Sequence, residues 1–137
     1  MKIQSTIFFL LLLVGCTKKE VENPAKYAGS YIGTIEVYRN GVLLQTIPSH
    51  TIIIHPATWG DYAISNNVIT RSTAPIEQNV LRFDRALVGS GAVNIYEFGT
   101  GTFSNNTLTI EFYQEEETPA THTVTRSDKY YGVLTRY

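Results

Sequence analysis

The chain has 137 residues, 43% of them apolar and 17% charged, a balance that excludes a disordered polymer, which buries too little apolar surface to offset the entropy of ordering. Eleven Lys plus Arg stand against twelve Asp plus Glu, which excludes a strongly basic nucleic-acid binder and a long acidic tail. One cysteine rules out an internal disulfide framework and a cysteine-rich zinc site, and nine Tyr and six Phe against one Met favour strands over a helical bundle.

The chain opens with Met1-Lys2, a polar step at Gln4-Ser5-Thr6, and an unbroken apolar run over residues 7–14. These are the charged and apolar regions of a secretory signal peptide. A transmembrane helix needs about twenty apolar residues, so the run is too short to span a bilayer. It ends in Leu13-Val14-Gly15-Cys16, followed by Thr17-Lys18-Lys19. Those four residues resemble the lipobox of bacterial lipoproteins position for position: an aliphatic residue, a small or aliphatic one, Gly or Ala, then Cys. The resemblance covers residues 1–20. It implies that residues 1–15 are a cleaved signal peptide, that the Cys16 thiol receives a diacylglycerol, and that the new amino group is acylated with a palmitate-type chain. Each buried CH₂ contributes about 0.8 kcal/mol, so two or more chains anchor a protein stably where one does not. Thr17, where an Asp would mark inner-membrane retention in the enterobacterial scheme, implies the outer membrane. The Lys18-Lys19-Glu20-Val21-Glu22 stretch partly resembles a Bacteroidota surface-export signal, so the periplasmic and the surface-facing orientation both stay open. Residues 16–26 form the lipidated cysteine and a polar tether with Pro24 near its end and no apolar period.

From residue 28 onward the signals are of period two or of turn type. A first strand is expected near 30–38, with Tyr31, Gly33, Ile35 and Val37 on one side. Asn40-Gly41 then marks a hairpin, since both residues tolerate positive φ. The return strand runs from 42 to about 47, where Pro48 is expected to interrupt the ladder. The β-branched run 51–55 suits a buried strand, and 56–61, with Trp59 and Gly60, reads as a loop. A short strand at 62–65, closed by Asn66-Asn67, precedes a return at 68–72, and 74–79, with Pro75, reads as a loop or sheet edge. Residues 80–88 form a strand with Leu81, Phe83 and Leu87 on one side and Arg82 and Asp84 opposite. After a turn at Gly89-Ser90-Gly91, the strand over 93–103 carries Gly99 and Gly101, which suggest a bend or bulge. Beyond the Ser104-Asn105-Asn106 turn, 107–114 alternates most cleanly: Leu108, Ile110 and Phe112 inward, Thr107, Thr109, Glu111 and Tyr113 outward. Residues 115–119 are expected as a solvated loop. The last two strands, 122–126 and 131–137, are separated by Ser127-Asp128-Lys129.

No stretch of ten residues shows a capped helical period. The total of eight to ten short strands, all-β, favours a small antiparallel up-and-down β-barrel over residues 27–137, with a β-sandwich as the alternative, because an open sheet leaves long exposed edges. Tyr27-Ala28-Gly29-Ser30-Tyr31-Ile32-Gly33 and Gly101-Thr102-Phe103-Ser104-Asn105-Asn106-Thr107-Leu108 resemble, at the level of pattern, the lipocalin-like lipoprotein domains of Bacteroidota. The chain departs from secreted lipocalins in its shorter length and in lacking their disulfide and Gly-x-Trp opening, departures that bear on whether a deep cavity is present.

Catalytic signals are sparse. A metal site needs three or four converging ligands; His50 and His55 fall on opposite faces of a strand, and His122 stands apart. Glu115-Glu116-Glu117 lacks the Asp-x-Asp spacing of a Ca²⁺ loop. No Gly-x-Ser-x-Gly elbow exists, and Gly99-x-Gly101 precedes no helix that would cradle a phosphate. Glu36, Asp84, Glu97 and Glu111 sit on strands, where outward placement explains them more simply than a glycosidase pair. The expectation is a protein that is not an enzyme, has no cofactor or metal, binds no nucleic acid and is monomeric. Aromatic residues carry the functional signal, since tyrosine offers both a ring face and a hydroxyl. Trp59, Tyr31, Tyr62 and Tyr96 are the candidate ligand-binding residues, and Cys16 is the lipidation site. The expected function is a lipid-anchored cell-envelope lipoprotein whose lipocalin-like barrel binds a small or hydrophobic ligand. The alternative is an anchored sandwich that serves as an interaction module for glycan or for another envelope protein. An elongated apolar cavity favours the first; a filled core with an exposed aromatic strip favours the second.

Overall fold

The structure, a computed structural model, describes residues 24–56, 61–65 and 73–137, with side chains included outside Pro24 and 61–65. Cys16, the signal segment, the tether up to residue 23, Trp59 and the return strand expected at 68–72 lie outside the described residues. Among the described residues are eight strands: β1 Gly29–Arg39, β2 Val42–Pro56, β3 Asp61–Ser65, β4 Thr73–Glu77, β5 Val80–Gly89, β6 Asn94–Ser104, β7 Thr107–Thr118 and β8 Thr123–Arg136. Each pairs antiparallel with the next, and β8 returns to pair with β1, so the up-and-down sheet closes into a barrel. Closure removes the exposed edges that an eight-stranded open sheet would carry.

Period-two patterning decides which residues face inward. On β1, Tyr31, Ile35 and Val37 are buried, and on β7 Leu108, Ile110 and Phe112 are, as their alternation predicts. With Tyr27, Ile54, Leu81, Phe83, Phe103 and Leu134 they form one core. Aromatic rings fill much of it: Tyr27 lies 4.7 Å from Phe103, and Phe83 meets Phe112 edge-on at 5.3 Å. Gly33 lets β1 and β8 approach closely at an inward position, because a Cβ there would stand 2.4 Å from the Val133 carbonyl oxygen.

Tight turns set the registers. Asn40 and Gly41 have φ of 48° and 83°, and Gln78 and Asn79 have 51° and 64°. Positive φ at both central residues gives the turn whose twist matches the flanking strands. The β4–β5 turn also locks the entry to the barrel. Asn79 Oδ1 accepts hydrogen bonds from the Tyr27 hydroxyl and from Lys26 Nζ (3.0 Å), while the Asn79 carbonyl accepts from Phe103 N–H at 2.8 Å. Pro24–Lys26, a single 3₁₀ turn, therefore leads into β1 at this entry end.

Five expectations need correction. Pro48 interrupts the ladder as expected but does not end the strand: β2 continues to Pro56, and the ladder skips Pro48 and Ser49 between the Ile35–Ile47 and Gly33–His50 pairs, with Ser49 at φ 53°. A bulge supplies the place where a missing N–H costs no ladder bond. Residues 73–77 form β4, paired with strands on both sides, where a loop or a sheet edge is expected over 74–79. Residues 115–118 and 127–129 are strand too, in β7 and β8, because each has a partner strand that the local polar composition does not reveal. Leu87 faces out and is 52% exposed, since a register shift between Phe83 and Ala86 breaks the alternation assumed for β5.

Candidate functional site

The inner face changes character along the barrel axis. Toward the entry end it is apolar, with Tyr31, Ile35, Leu108 and Leu134 at most 1% exposed. Toward the far end it is polar and mutually bonded. Arg39 donates to both oxygens of Asp128, Nε to Oδ1 at 2.9 Å and Nη2 to Oδ2 at 3.0 Å. Arg126 donates to the same Asp128 and, through Nη1, to Glu116 at 2.9 Å. Gln114 Nε2 donates to Glu97 Oε1 at 3.0 Å. The hydrogen bond from Arg39, joined by those from Arg126, outweighs burial and holds the Asp128 carboxyl at about 2, below its ordinary 3.8. This network satisfies itself and ties β1 to β8 across the end of the barrel.

The outer wall carries a different arrangement, built by strand register. Tyr38 and Tyr113 both pair across from Lys129, and Glu36 and Glu111 both pair across from Tyr131. The result is a grid of two rows and three strands, with Tyr38–Lys129–Tyr113 above Glu36–Tyr131–Glu111. Residues two apart on a strand share a face, so each flanking tyrosine reaches its own carboxylate. Tyr38 OH donates to Glu36 Oε2 at 2.6 Å, and Tyr113 OH donates to Glu111 Oε1. Lys129 Nζ lies 3.2 Å from Glu111 Oε1 and 5.7 Å from the ring centroids of both Tyr113 and Tyr131. Phe98, opposite Tyr113 on β6, extends the upper row; the two rings stack at 5.0 Å and 9°.

Two hollows lie on this wall. One of about 460 Å³ is lined by the grid residues Glu36, Tyr38, Tyr113, Lys129 and Tyr131, with Gly41 and Ser127 at its rim. The other, about 340 Å³, lies beyond Tyr113 against Arg82, Asp84, Phe98, Thr100 and Glu111. The first falls within the size range of small-molecule sites, roughly 300–1,000 Å³. Hydrogen bonding to the carboxylates raises the pKa of both the Tyr38 and the Tyr113 phenols. The hydrogen bonds from Tyr113 and then Lys129 lower that of Glu111, and Glu111 in turn raises Lys129. At neutral pH the site therefore presents protonated phenols, ionised Glu111 and a charged lysine.

No protein-family model, curated protein or solved structure matches this chain. Its chemistry is read from its own geometry. Of the residues singled out from sequence, Tyr31 is 1% exposed, donates its hydroxyl to the Tyr27 carbonyl at 2.9 Å and packs edge-on against Phe103. It holds the core. Tyr96 lies on the outer wall with the Arg85 guanidinium 3.6 Å above its ring, and Arg85 pairs with Glu117 at 3.1 Å. Tyr62 pairs with Pro56 and Ala74 through the β3 backbone, its side chain lying outside the described residues, as do Trp59 and Cys16. His50 faces inward, where burial lowers its pKa, and its Nε2 has no hydrogen-bond partner among the described residues; His122 bonds Glu117 at 3.0 Å in the β7–β8 turn. The grid itself escaped the sequence reading. A signal for it exists: Glu36-Val37-Tyr38 and Glu111-Phe112-Tyr113 repeat one Glu-x-Tyr spacing, and Lys129-Tyr130-Tyr131 repeats the outward phase.

Proposed function

We propose that this protein is a lipid-anchored cell-envelope lipoprotein whose barrel is an interaction module that binds with its outer wall. The anchor follows from the Leu13-Val14-Gly15-Cys16 lipobox and the polar tether behind it. The observation that carries the binding mode is the contrast between the two faces of one wall. Among the described residues the inner face is occupied by its own rings, aliphatic chains and bonded charges, with Ile35, Leu108, Leu134 and Glu97 all at 0% exposure. The outer face of the same strands holds hollows lined by tyrosines. Buried aromatic anchors within a polar rim are what interfaces use for affinity.

Native mass spectrometry of the protein purified from its own host tests this. The expected mass is that of the mature polypeptide plus its acyl anchor. An apolar molecule retained at one per chain, and expelled when Phe83→Trp fills space inside the barrel, would restore the lumen as the binding site.

A further inference from the structure

We infer that the larger outer hollow is a binding site for a neutral saccharide, one pyranose ring seated between Tyr38 and Tyr113 above Lys129; this rests on the outer-wall reading and names its ligand.

Geometry sets the slot. Tyr38 and Tyr113 flank Lys129 in one cross-strand row, so their strands lie two spacings apart, about 9.6 Å. Side chains rooted that far apart do not meet as a stacked pair, whose centroids lie about 4.5–7 Å apart, and the hollow that both tyrosines line is about 460 Å³. The proposed sugar ring sits in that hollow. The Tyr113 wall is fixed before any ligand arrives, because Phe98 stacks on it at 5.0 Å. The entrance is open at Gly41, where an added Cβ would meet nothing within 4 Å.

Charge selects the ligand class. The place a cation would take at the tyrosine faces is already held by Lys129, 5.7 Å from the Tyr113 and Tyr131 centroids. Glu36 and Glu111 repel an anion. A neutral ring with an apolar C–H face and a rim of hydroxyls meets neither penalty. Glu36 accepts only the Tyr38 hydroxyl among the described contacts, and an ionised carboxylate has about four lone-pair sites. Its remaining sites suit the paired hydroxyl donors of a sugar, while Lys129 and Ser127 supply donors for the sugar oxygens.

The test uses the full-length protein in a polyoxyethylene detergent, which carries no sugar. Isothermal titration is run with cellotetraose and chitotetraose as neutral probes, tetramethylammonium as the cation and polygalacturonate as the anion. At least one neutral tetramer is expected to bind. Tyr113→Ala and Glu36→Gln should each weaken it about tenfold, the scale of one lost ring or polar contact, and Tyr113→Phe should retain most of the affinity. Glu36→Gln is isosteric on an outer strand face, so its melting point shows whether a loss reflects binding or folding. No binding by either tetramer, binding indifferent to both substitutions, or preference for either ion overturns the saccharide assignment. Hydroxyl-radical protection on host envelopes separates the two levels, because the lipid anchor holds every variant there. If Tyr38 and Tyr113 are protected on envelopes although no tetramer binds, only the ligand class is wrong; if they react equally in the free and the envelope-bound protein, the outer-wall reading fails with it.

Discussion

Gly33 and Asp128 show how single positions hold this barrel together. A Cβ at Gly33 would lie 2.4 Å from the Val133 oxygen and 2.8 Å from Leu134 Cα, both backbone atoms. Neither can move without opening the β1–β8 ladder that closes the ring. Gly33→Ala should cost about 3 kcal/mol, the upper part of the overpacking range, and a denaturant midpoint near the wild-type value would contradict this. Among the described residues, Asp128 is the only carboxylate that both Arg39 and Arg126 reach. Its folded pKa of about 2 lies below the ordinary 3.8, so its contribution is present above the ordinary value and is lost as pH falls through the folded one. Asp128→Asn should therefore destabilise by roughly 2 kcal/mol at neutral pH, the scale of hydrogen bonds to charged groups. The gap to wild type should narrow as pH drops from 3.8 towards about 2. A gap that does not change with pH would mean that Asp128 acts through packing alone. None of this was legible in the sequence, where Ser127-Asp128-Lys129 has the composition of a turn and the partner that buries Asp128 lies 89 positions away.

Elements were legible wherever the signal is local. Asn40-Gly41 fixes the first hairpin through two positive φ values, and the 107–113 alternation assigns both faces of β7 correctly. Boundaries failed where a distant strand supplies the hydrogen bonds. Glu115, Glu116 and Glu117 look like solvent-seeking residues, yet β6 and β8 pair with them from both sides, Arg85 and Arg126 form ion pairs with them and His122 hydrogen-bonds Glu117. The β4–β5 turn separates conformation from contact. Asn79 sits at φ 64° and also pins Tyr27 and Lys26. Asn79→Gly keeps the turn and loses the pin, whereas Asn79→Ala loses both. The alanine variant should be the less stable by about 1 kcal/mol, the cost of left-handed backbone for a residue with a Cβ. Equal melting temperatures would show that the pin alone matters. The candidate site was half legible. Its Glu-x-Tyr spacing is written in the chain, but the registers that place Lys129 and Tyr131 between the two copies emerge only when β8 inserts between β1 and β7.

At the scale of the molecule, the chain enters the barrel beside Tyr27, while the bonded polar network lies at the opposite end. On the proposed anchoring at Cys16, the tether joins the barrel at this entry end. Cys16→Ser should abolish incorporation of labelled palmitate and leave the precursor uncleaved; label retained in that variant would remove the anchor from this account. In the function proposed above, the outer wall, not the lumen, meets the partner. Hydroxyl-radical footprinting of the full-length protein, free and bound to envelopes of its host, tests it most directly. Tyr38, Tyr113 and Tyr131 should be oxidised in the free protein and protected in the bound one, with Tyr31, 1% exposed, unreactive in both. Outer-wall tyrosines that react equally in the two states would contradict the claim.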